Sequence, residues 1–385
     1  MVRAAIHIVQ FLLVSLAACI AVYPLQSRAE AGIYPDRIVI GQSTSVTGPL
    51  ASLALPCLVG AKAYFSEVNA RGGVYGRKIE LLTRDDGYDG EVAKENTERL
   101  IHADKVFAMF GYAGWPSVES SLPLVTRARI PFLFPCTGAT TLYEQFNRYV
   151  FTARASYVRE YRYLLKLFQR FGVNSVLAVY QSNIFGRRLM AEMQRQADAH
   201  TFSLSAAEVD VNSDFSVVVR RIMALRPDAV LLVNGDPSIN VGIVRSVQAA
   251  GYRGRFFGAS LVVQRAVLDS LGQVSRGVIT TQIVPSPWHA SIPLVSDYRK
   301  LMEANGITEF SFGGMEGFIG ARAFVEGLRR AGRNPTREKL IDALESINEN
   351  NFAHRGFPLN FSASSHQGSD FVDTSVISGD TSFIN

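Results

Sequence analysis

The chain has 385 residues, of which 48% are apolar, 19% charged and 10% aromatic, a composition that supports two packed domains and excludes a disordered chain. Lys and Arg number 39 and Asp and Glu number 34, so the formal charge is only +5, and without a long basic run no nucleic-acid partner is expected. The cysteines, Cys19, Cys57 and Cys136, are too few and too scattered for a cysteine-rich metal site or a disulfide scaffold.

Residues 1–29 have the pattern of an export signal. Arg3 precedes a mostly apolar stretch, Ala4–Ala21, and the small-residue site Ser27-Arg28-Ala29 follows it. We therefore expect export. Two other interpretations stay open: an uncleaved apolar stretch that spans a bilayer, and a bacterial lipobox at Leu16-Ala17-Ala18-Cys19 that makes the protein a lipoprotein through Cys19.

Beyond the signal, short apolar runs alternate with amphipathic stretches. The short runs predict strands buried on both faces, and apolar residues at helical spacing predict the helices between them. The strands expected in this first block are Ile38–Ile40, Ile79–Leu82, Val106–Phe110 and Pro131–Phe134, and the helices are Val59–Asn69, Val92–Ala103 and Val118–Arg127.

The same alternation resumes after Val150. The expected helices are Glu160–Phe171, Arg188–Ala199, Ser216–Leu225 and Ile239–Ala250, and the expected strands are Val176–Tyr180, Leu204–Val209, Ala229–Val233, Phe256–Gly258 and Val278–Ile283. Such a β-α succession predicts parallel sheets covered by helices, with right-handed crossovers. Two similar blocks predict an α/β protein with two doubly wound lobes.

The C-terminal part breaks this pattern. Helices are expected at Pro293–Asn305, Met315–Arg330 and Arg337–Leu344, followed by a hairpin-like pair of strands, Leu359–Phe361 and Val372–Ile377. A chain with helices left over after two lobes is expected to return to the first lobe. We therefore expect discontinuous lobes joined by a multi-strand hinge: lobe 1 from residues 33–153 and 284–355, and lobe 2 from 154–283 and 356–385.

Several motifs occur in order along the mature chain. They are Ile40-Gly41, Thr47-Gly48-Pro49, Asn69–Glu80, Asp85-Asp86, Pro135–Gly138, Phe185-Gly186, Pro227–Val230, Glu316-Gly317 and Gly327–Gly332. Together they resemble type I periplasmic binding proteins of the leucine/isoleucine/valine-binding class. The resemblance implies a bilobal fold, a small-molecule carboxylate ligand held between the lobes, and delivery of that ligand to a membrane ABC permease.

Two loops that follow predicted strands are the first candidates for the ligand site. Gly111–Ser117 leads into a helix with Ser117 as its expected N-cap, and Pro135–Thr140 follows the next strand. Free backbone N–H groups at a helix start suit a carboxylate. In the family that the chain resembles, these loops hold the ligand carboxylate, which points to Ser117, Cys136, Thr137 and Gly138; ordinary helix capping is the competing interpretation of each hydroxyl.

The chain departs from the family pattern at two positions. Trp115 stands where relatives often carry Ser or Thr, and its indole offers a flat apolar wall and one N–H donor. Ser260 stands where amino-acid binders place an acid that faces the ligand ammonium. Asp236 either replaces that acid or forms a turn within Asn234–Pro237. These changes predict that an aromatic or other apolar carboxylate binds better than leucine or valine.

Phe185 and Glu316 complete the candidate ligand site. Phe185 either faces the closed cleft or packs in the core, and Glu316 either meets the ligand or complements the dipole of a helix over Gly317–Arg330. Cys57 and Cys136 are both expected near the cleft. A disulfide between them requires Cα atoms within about 7 Å, and we expect free thiols.

The sequence contains no catalytic or cofactor signature. The six histidines are dispersed, and neither H-E-x-x-H, G-x-x-x-x-G-K-[ST] nor G-x-S-x-G occurs, so we expect no enzyme activity, metal or cofactor. The expected function is that of a monomeric, exported binding protein that delivers a small carboxylate to an ABC permease. The alternatives are a ligand sensor of the same fold that signals to a receptor or kinase, and a doubly wound enzyme.

Overall fold

The computed structural model describes residues 30–48, 51–198, 200–262, 265–352 and 356–384. The expected signal segment, with Cys19, lies outside these residues, as does Pro49. Among the helices that are described, none combines the length and the apolar character that a membrane crossing requires.

A parallel five-stranded sheet forms the centre of the first lobe. Its strands are β1 (Arg37–Thr44), β2 (Lys78–Asp85), β3 (Met109–Phe110), β4 (Phe132–Leu133) and β5 (Val150–Phe151), in the order β2-β1-β3-β4-β5. Its intervening helices are α1 (Ala51–Ala70), α2 (Gly90–His102) and α3 (Trp115–Arg127). The β-α alternation expected for this block is therefore present, with β3 and β4 shorter than expected.

The second lobe contains a seven-stranded sheet in the order β12-β11-β10-β9-β8-β6-β7. The strands are β6 (Ser175–Gln181), β7 (Ser203–Val209), β8 (Ala229–Val233), β9 (Arg255–Gly258), β10 (Ile279–Gln282), β11 (Asp373–Ile377) and β12 (Phe383–Ile384). The helices are α4 (Tyr157–Arg170), α5 (Ile184–Ala197), α6 (Ser216–Leu225), α7 (Pro237–Ala249) and α8 (Arg265–Leu271). Strands β6 to β10 are parallel, and β11 and β12 add two antiparallel pairings.

Short polar side chains fix where several helices begin. Ser156 accepts a hydrogen bond from the backbone N–H of Arg159 at the start of α4, and Asn183 caps α5 in the same way. Such caps satisfy backbone donors that the helix itself leaves unpaired. Because α4 and α5 directly follow β5 and β6, these caps also fix the loops at the carboxyl ends of the strands.

The remaining helices are α9 (Pro293–Ala304), α10 (Phe312–Ala331) and α11 (Arg337–Glu345), and we propose that they belong to the first lobe. Buried residues of all three share a core with β1 and α1. Helix α10 approaches α1 very closely, because a Cβ atom added at Gly317 would collide with the backbone carbonyl of Cys57, and one at Gly60 would collide with that of Gly314.

The prediction of a C-terminal hairpin is wrong. Leu359–Phe361 forms no strand, and β11 instead pairs with β10 and β12 in the second sheet. The physical reason is burial: Phe357, Leu359 and Phe361 pack in the first-lobe core. We therefore propose that residues 356–361 belong to lobe 1 and not to lobe 2.

Three backbone segments run between the lobes, which gives the expected multi-strand hinge. The chain passes between the sheets after β5, after β10 and before β11. Two of these segments are hydrogen-bonded to each other, because the Thr152 N–H donates to the His366 carbonyl over 3.0 Å and the Gly368 N–H donates to the Thr152 carbonyl over 2.8 Å. These two segments are therefore linked side by side where they run between the lobes.

The close packing of α1 against α10 predicts a strong effect of Gly317→Ala. We expect this variant to lose about 1–3 kcal/mol of unfolding free energy, because the new methyl group must displace backbone and not a flexible side chain. Urea denaturation measures the loss. The control is Gly379→Ala, whose added Cβ meets no atom closer than 3.7 Å; equal stability losses in the two variants would contradict the packing argument.

Candidate functional site

A cavity of about 400 Å³ lies between the two lobes. Its walls come from segments that follow β3, β4 and β5 in the first lobe and β6, β8, β9 and β10 in the second. The carboxyl ends of parallel strands are the usual ligand side of open α/β sheets. The polar and aromatic residues that line it are Tyr88, Trp115, Thr137, Arg154, Tyr157, Gln181, Asn183, Phe185, Arg187, Asp236, Ser260, Gln282, Phe312 and Glu316.

Aromatic rings from both lobes form one wall of this cavity. The rings of Trp115 and Phe185 lie 6.1 Å apart between centroids, and Tyr157 meets Phe185 edge-on at 5.6 Å. Gly114 makes room for this wall, since a Cβ atom there would contact the ring of Tyr88 at 2.5 Å. The two sequence candidates Trp115 and Phe185 are therefore brought together across the cleft.

The amino terminus of α3 reaches the cavity without a side-chain cap. Gly114 is the N-cap residue and makes no side-chain hydrogen bond, while Trp115 and Pro116 form the first helical positions and line the cavity. In the neighbouring loop, the hydroxyl of Thr137 donates to the Tyr157 hydroxyl over 3.3 Å. Pro116 has no N–H and the N–H of Trp115 donates to the Tyr88 hydroxyl, so α3 contributes its helix dipole to the cavity. The Thr137 loop lies next to it and pairs with it through Ala113 and Cys136.

Ser117 and Gly138 do not have the positions expected from the sequence. Ser117 is fully buried and is not the N-cap; its hydroxyl donates to Asp86 Oδ2 over 2.9 Å and joins α3 to the β1–β2 side of the sheet. Gly138 packs under Tyr157, where a Cβ atom would lie 2.7 Å from the backbone nitrogen of that residue. Neither Ser117 nor Gly138 lines the cavity; both pack behind residues that do.

The expectation of free thiols at Cys57 and Cys136 is wrong, because these residues form a disulfide with Cα atoms 6.6 Å apart. Cys57 lies in α1, and Cys136 follows β4 and lines the cavity. Residues 79 positions apart are brought within bonding distance by the packing of α1 beside the first sheet. The bond ties the Thr137 loop to α1.

A buried charge network forms the floor of the cavity. Arg154, in the segment after β5, donates from Nη2 to Glu160 Oε1 over 2.8 Å and from Nη1 to Glu316 Oε1 over 3.2 Å. Glu160 belongs to α4 of the second lobe and Glu316 to α10 of the first. One guanidinium therefore joins carboxylates from both lobes beside the ligand cavity.

Ser260 takes part in this network as a donor. Its backbone N–H donates to Glu160 Oε2 over 2.7 Å and its hydroxyl donates to Glu160 Oε1 over 3.0 Å. The hydroxyl of Thr281 donates to Glu160 Oε2 over 2.5 Å. Glu160 therefore lies fully buried behind Ser260, and its carboxylate oxygens are occupied by Arg154, Ser260 and Thr281.

The surroundings raise the pKa of both Glu316 and Arg154, which favours the neutral form of Glu316 and the charged form of Arg154. Burial raises the pKa of Glu316, and the charge of Arg154 offsets only part of that increase. Burial acts to lower the pKa of Arg154, but the neighbouring groups, Glu316 first among them, raise it overall. The sequence analysis placed Glu316 before its helix, but Glu316 lies inside α10, beyond its first turn. It therefore does not complement the helix N-terminus.

Asp236 both caps a helix and lines the cavity. Its Oδ1 accepts hydrogen bonds from the backbone N–H and the hydroxyl of Ser238, over 2.8 and 2.6 Å, at the start of α7. The local capping expected from the sequence is present, and the carboxylate still borders the ligand space. The two interpretations of Asp236 are therefore compatible.

Sequence reasoning missed Arg154 and Glu160. A signal for Glu160 was present, because it lies on the apolar face of α4 with Tyr157, Tyr161 and Leu164. An acid on such a face requires a buried partner. No comparable signal marked Arg154, whose partners lie 6 and 162 positions away along the chain.

Comparison with known proteins gives a consistent result. A family model described as periplasmic binding protein matches residues 37–372. The Leu/Ile/Val-binding protein of Escherichia coli K12 is 22% identical over 277 residues, covering 69% of this chain and 72% of that protein. These matches confirm the resemblance found in the sequence.

Solved structures agree on the fold. A substrate-binding periplasmic protein from Ralstonia solanacearum is 26% identical and superposes with a TM-score of 0.80 over 90% of this chain and 99% of its own. An ABC transporter solute-binding protein from R. palustris, solved in complex with benzoate, is 17% identical, with a TM-score of 0.79 over 91% of this chain and 95% of its own. The predicted α/β fold with two lobes is confirmed.

The disulfide predicts a defined alkylation pattern. In denaturant without reductant, we expect peptides containing Cys57 and Cys136 to stay unalkylated and to become alkylated after reduction, as read by peptide mass mapping. The double variant Cys57→Ser/Cys136→Ser should lose about 2–5 kcal/mol of unfolding free energy. Alkylation of both cysteines before reduction would contradict the assignment.

The buried charge network predicts a large cost for Arg154→Met. This variant leaves two buried carboxylates without their guanidinium, and we expect a loss of about 3–5 kcal/mol in urea denaturation. The control is Arg159→Met, whose side chain is 41% exposed and pairs with Asp370; we expect a loss of at most about 1 kcal/mol there. Similar losses in both variants would show that the network is not structurally important.

Proposed function

We propose that this chain, which belongs to the periplasmic binding protein family, encloses a small carboxylate between its two lobes and delivers it to a membrane ABC permease. The observation that carries this proposal is the cavity between the carboxyl ends of the two sheets, with walls from both lobes. A ligand bound to both walls stabilises the closed form, since only a difference in affinity between two states can shift their populations. The hinge segments supply the axis of that movement.

The end of the cavity at α3 suits a carboxylate. The N-terminus of α3 carries the partial positive charge of the helix dipole, which favours an anion beside it. The hydroxyl of Thr137 adds a donor that can turn from Tyr157 to a ligand oxygen. The disulfide at Cys136 holds this loop in position beside α1.

The aromatic wall supports an aromatic or other apolar acid as the preferred ligand. Trp115, Phe185 and Tyr157 surround the space next to the carboxylate end, where ring contacts add to simple burial. Two relatives point to the ligand sizes involved, since one is named as a Leu/Ile/Val-binding protein and one was solved with benzoate. The sequence argument from Ser260, which stands where relatives carry an acid, does not support this preference. Two other carboxylates, those of Asp236 and Glu316, line the cavity.

Export to the periplasm belongs to the same proposal. It is supported by the signal-like pattern of residues 1–29 and by the family to which the chain belongs. A carboxylate captured there needs a carrier through the inner membrane, which the permease supplies. We expect the closed form to be the state that the permease recognises.

A thermal-shift screen followed by calorimetry tests the ligand class. The panel holds L-leucine, L-valine, benzoate and phenylacetate, and we expect the aromatic acids to raise the melting temperature most. A ligand at a hundred times its Kd stabilises the protein by about 2.7 kcal/mol. Trp115→Ser should weaken benzoate binding about tenfold, because it removes most of one ring wall.

The control for this variant is Trp288→Phe, which changes the chain's other tryptophan outside the cavity lining. It should leave benzoate affinity unchanged. Tighter binding of leucine than of either aromatic acid would contradict the preference, and no binding by any small carboxylate would contradict the function.

A further inference from the structure

The cavity floor carries more negative than positive charge. Arg154 is the single cation of a network that contains two carboxylates, those of Glu160 and Glu316. The other arginine that lines the cavity, Arg187, is paired with Glu208 over 2.6 Å. Asp236 adds a further carboxylate to the wall. A ligand whose only charge is a carboxylate therefore enters surroundings that already have an excess of negative charge.

This excess matters once the lobes close on a ligand as proposed, because closure removes water from the cavity. Charge–charge repulsion is strong where the solvent that would screen it is excluded. The helix terminus and the hydroxyl at the carboxylate end stabilise the ligand anion locally, but they bring no full positive charge. Either the ligand itself or a proton must supply one.

Glu316 is the carboxylate of this wall with the weakest hydrogen bonding. Glu160 accepts donors from Arg154, Ser260 and Thr281, and Asp236 accepts both donors of Ser238 over short distances. Among the residues that the structure describes, Glu316 accepts only from Arg154 Nη1, over 3.2 and 3.4 Å. Of these three carboxylates, Glu316 therefore has the fewest hydrogen-bond donors to lose when it is protonated.

The surroundings of Glu316 act in opposing directions, and burial, the largest cause, raises its pKa overall. Arg154 from the hinge segment favours its charged form, whereas burial and the negative charge of Glu160 in α4 disfavour it. Tyr143 and Tyr157 also lie close enough to interact with Glu316, and burial raises the pKa of both hydroxyls, which keeps them neutral at ordinary pH. A second carboxylate in the cavity would disfavour the charged form of Glu316 further.

We propose that Glu316 determines specificity by taking up one proton when a ligand whose only charge is a carboxylate binds, and that it stays ionised when the ligand also carries an ammonium group. The proposal rests on the proposed function of the cavity. The step balances simply: ligand anion and one solvent proton enter, and the complex holds the anion beside neutral Glu316. Simple acids therefore bind more tightly as the pH falls, whereas zwitterions do not depend on this proton.

Phenylacetate and L-phenylglycine form the matched pair of probes, because they differ only by the ammonium group. Calorimetry of the full chain at pH 8 in phosphate and in Tris, which differ in ionisation enthalpy, counts the protons taken up on binding. We expect an uptake close to one for phenylacetate and close to zero for L-phenylglycine. The affinity for phenylacetate should fall by up to about tenfold per pH unit above the pKa of Glu316, as linkage of one proton requires.

Glu316→Gln tests the assignment to this residue. In this variant we expect no proton uptake with phenylacetate, a flat pH dependence and tighter binding at pH 8 than in the wild type. The matched comparison is Asp236→Asn, which converts the other carboxylate that lines the cavity and keeps a good N-cap residue for α7; it should retain the uptake. If Glu316→Gln does not fold, Glu316→Ser serves instead.

The outcomes separate this proposal from the proposed function. Phenylacetate binding without proton uptake in the wild type, or uptake that persists without the Glu316 carboxyl group, overturns the proposal and leaves the function standing. If neither probe nor any carboxylate of the screen binds, the proposed function fails and this proposal fails with it. Uptake that disappears only in the Asp236→Asn variant would assign the proton to Asp236 and also overturn the proposal.

Discussion

The neutralisation of one buried guanidinium organises the centre of this molecule. Arg154 lies where the chain first leaves the first sheet, only 4% exposed, and a buried charge is tolerated only with partners. Glu160 and Glu316 supply those partners from different lobes. The same requirement therefore draws α4 and α10 toward the hinge and brings two carboxylates beside the ligand cavity.

The two halves of the cavity are fixed by different means. In the first lobe, the Gly317 contact and the Cys57–Cys136 disulfide hold α10, α1 and the Thr137 loop against one another. In the second lobe, capped helices follow directly after the strands and position side chains such as Phe185. Both lobes thus contribute polar and aromatic side chains to one cavity.

The two-lobed fold follows from local patterns, because each strand and helix carries its own periodicity. The alternation before residue 283 gave most elements close to their observed bounds, since strands such as β6 and β8 are buried along most or all of their length. The C-terminal part failed at Leu359–Phe361 for a physical reason. An apolar run of three residues fits a strand or a buried loop equally well, and only the neighbouring first-lobe core decides between them.

The sequence by itself determined the family, the two lobes and several loops that line the cavity, because glycine motifs, caps and periodicity are local properties of the chain. It also identified Trp115, Thr137, Phe185 and Asp236, which line the cavity. Only the tertiary structure decided that the Ser117 hydroxyl donates to Asp86, which cysteines form a disulfide, and which carboxylates pair with Arg154. These are pairings between residues as many as 162 positions apart, and no local spacing encodes them.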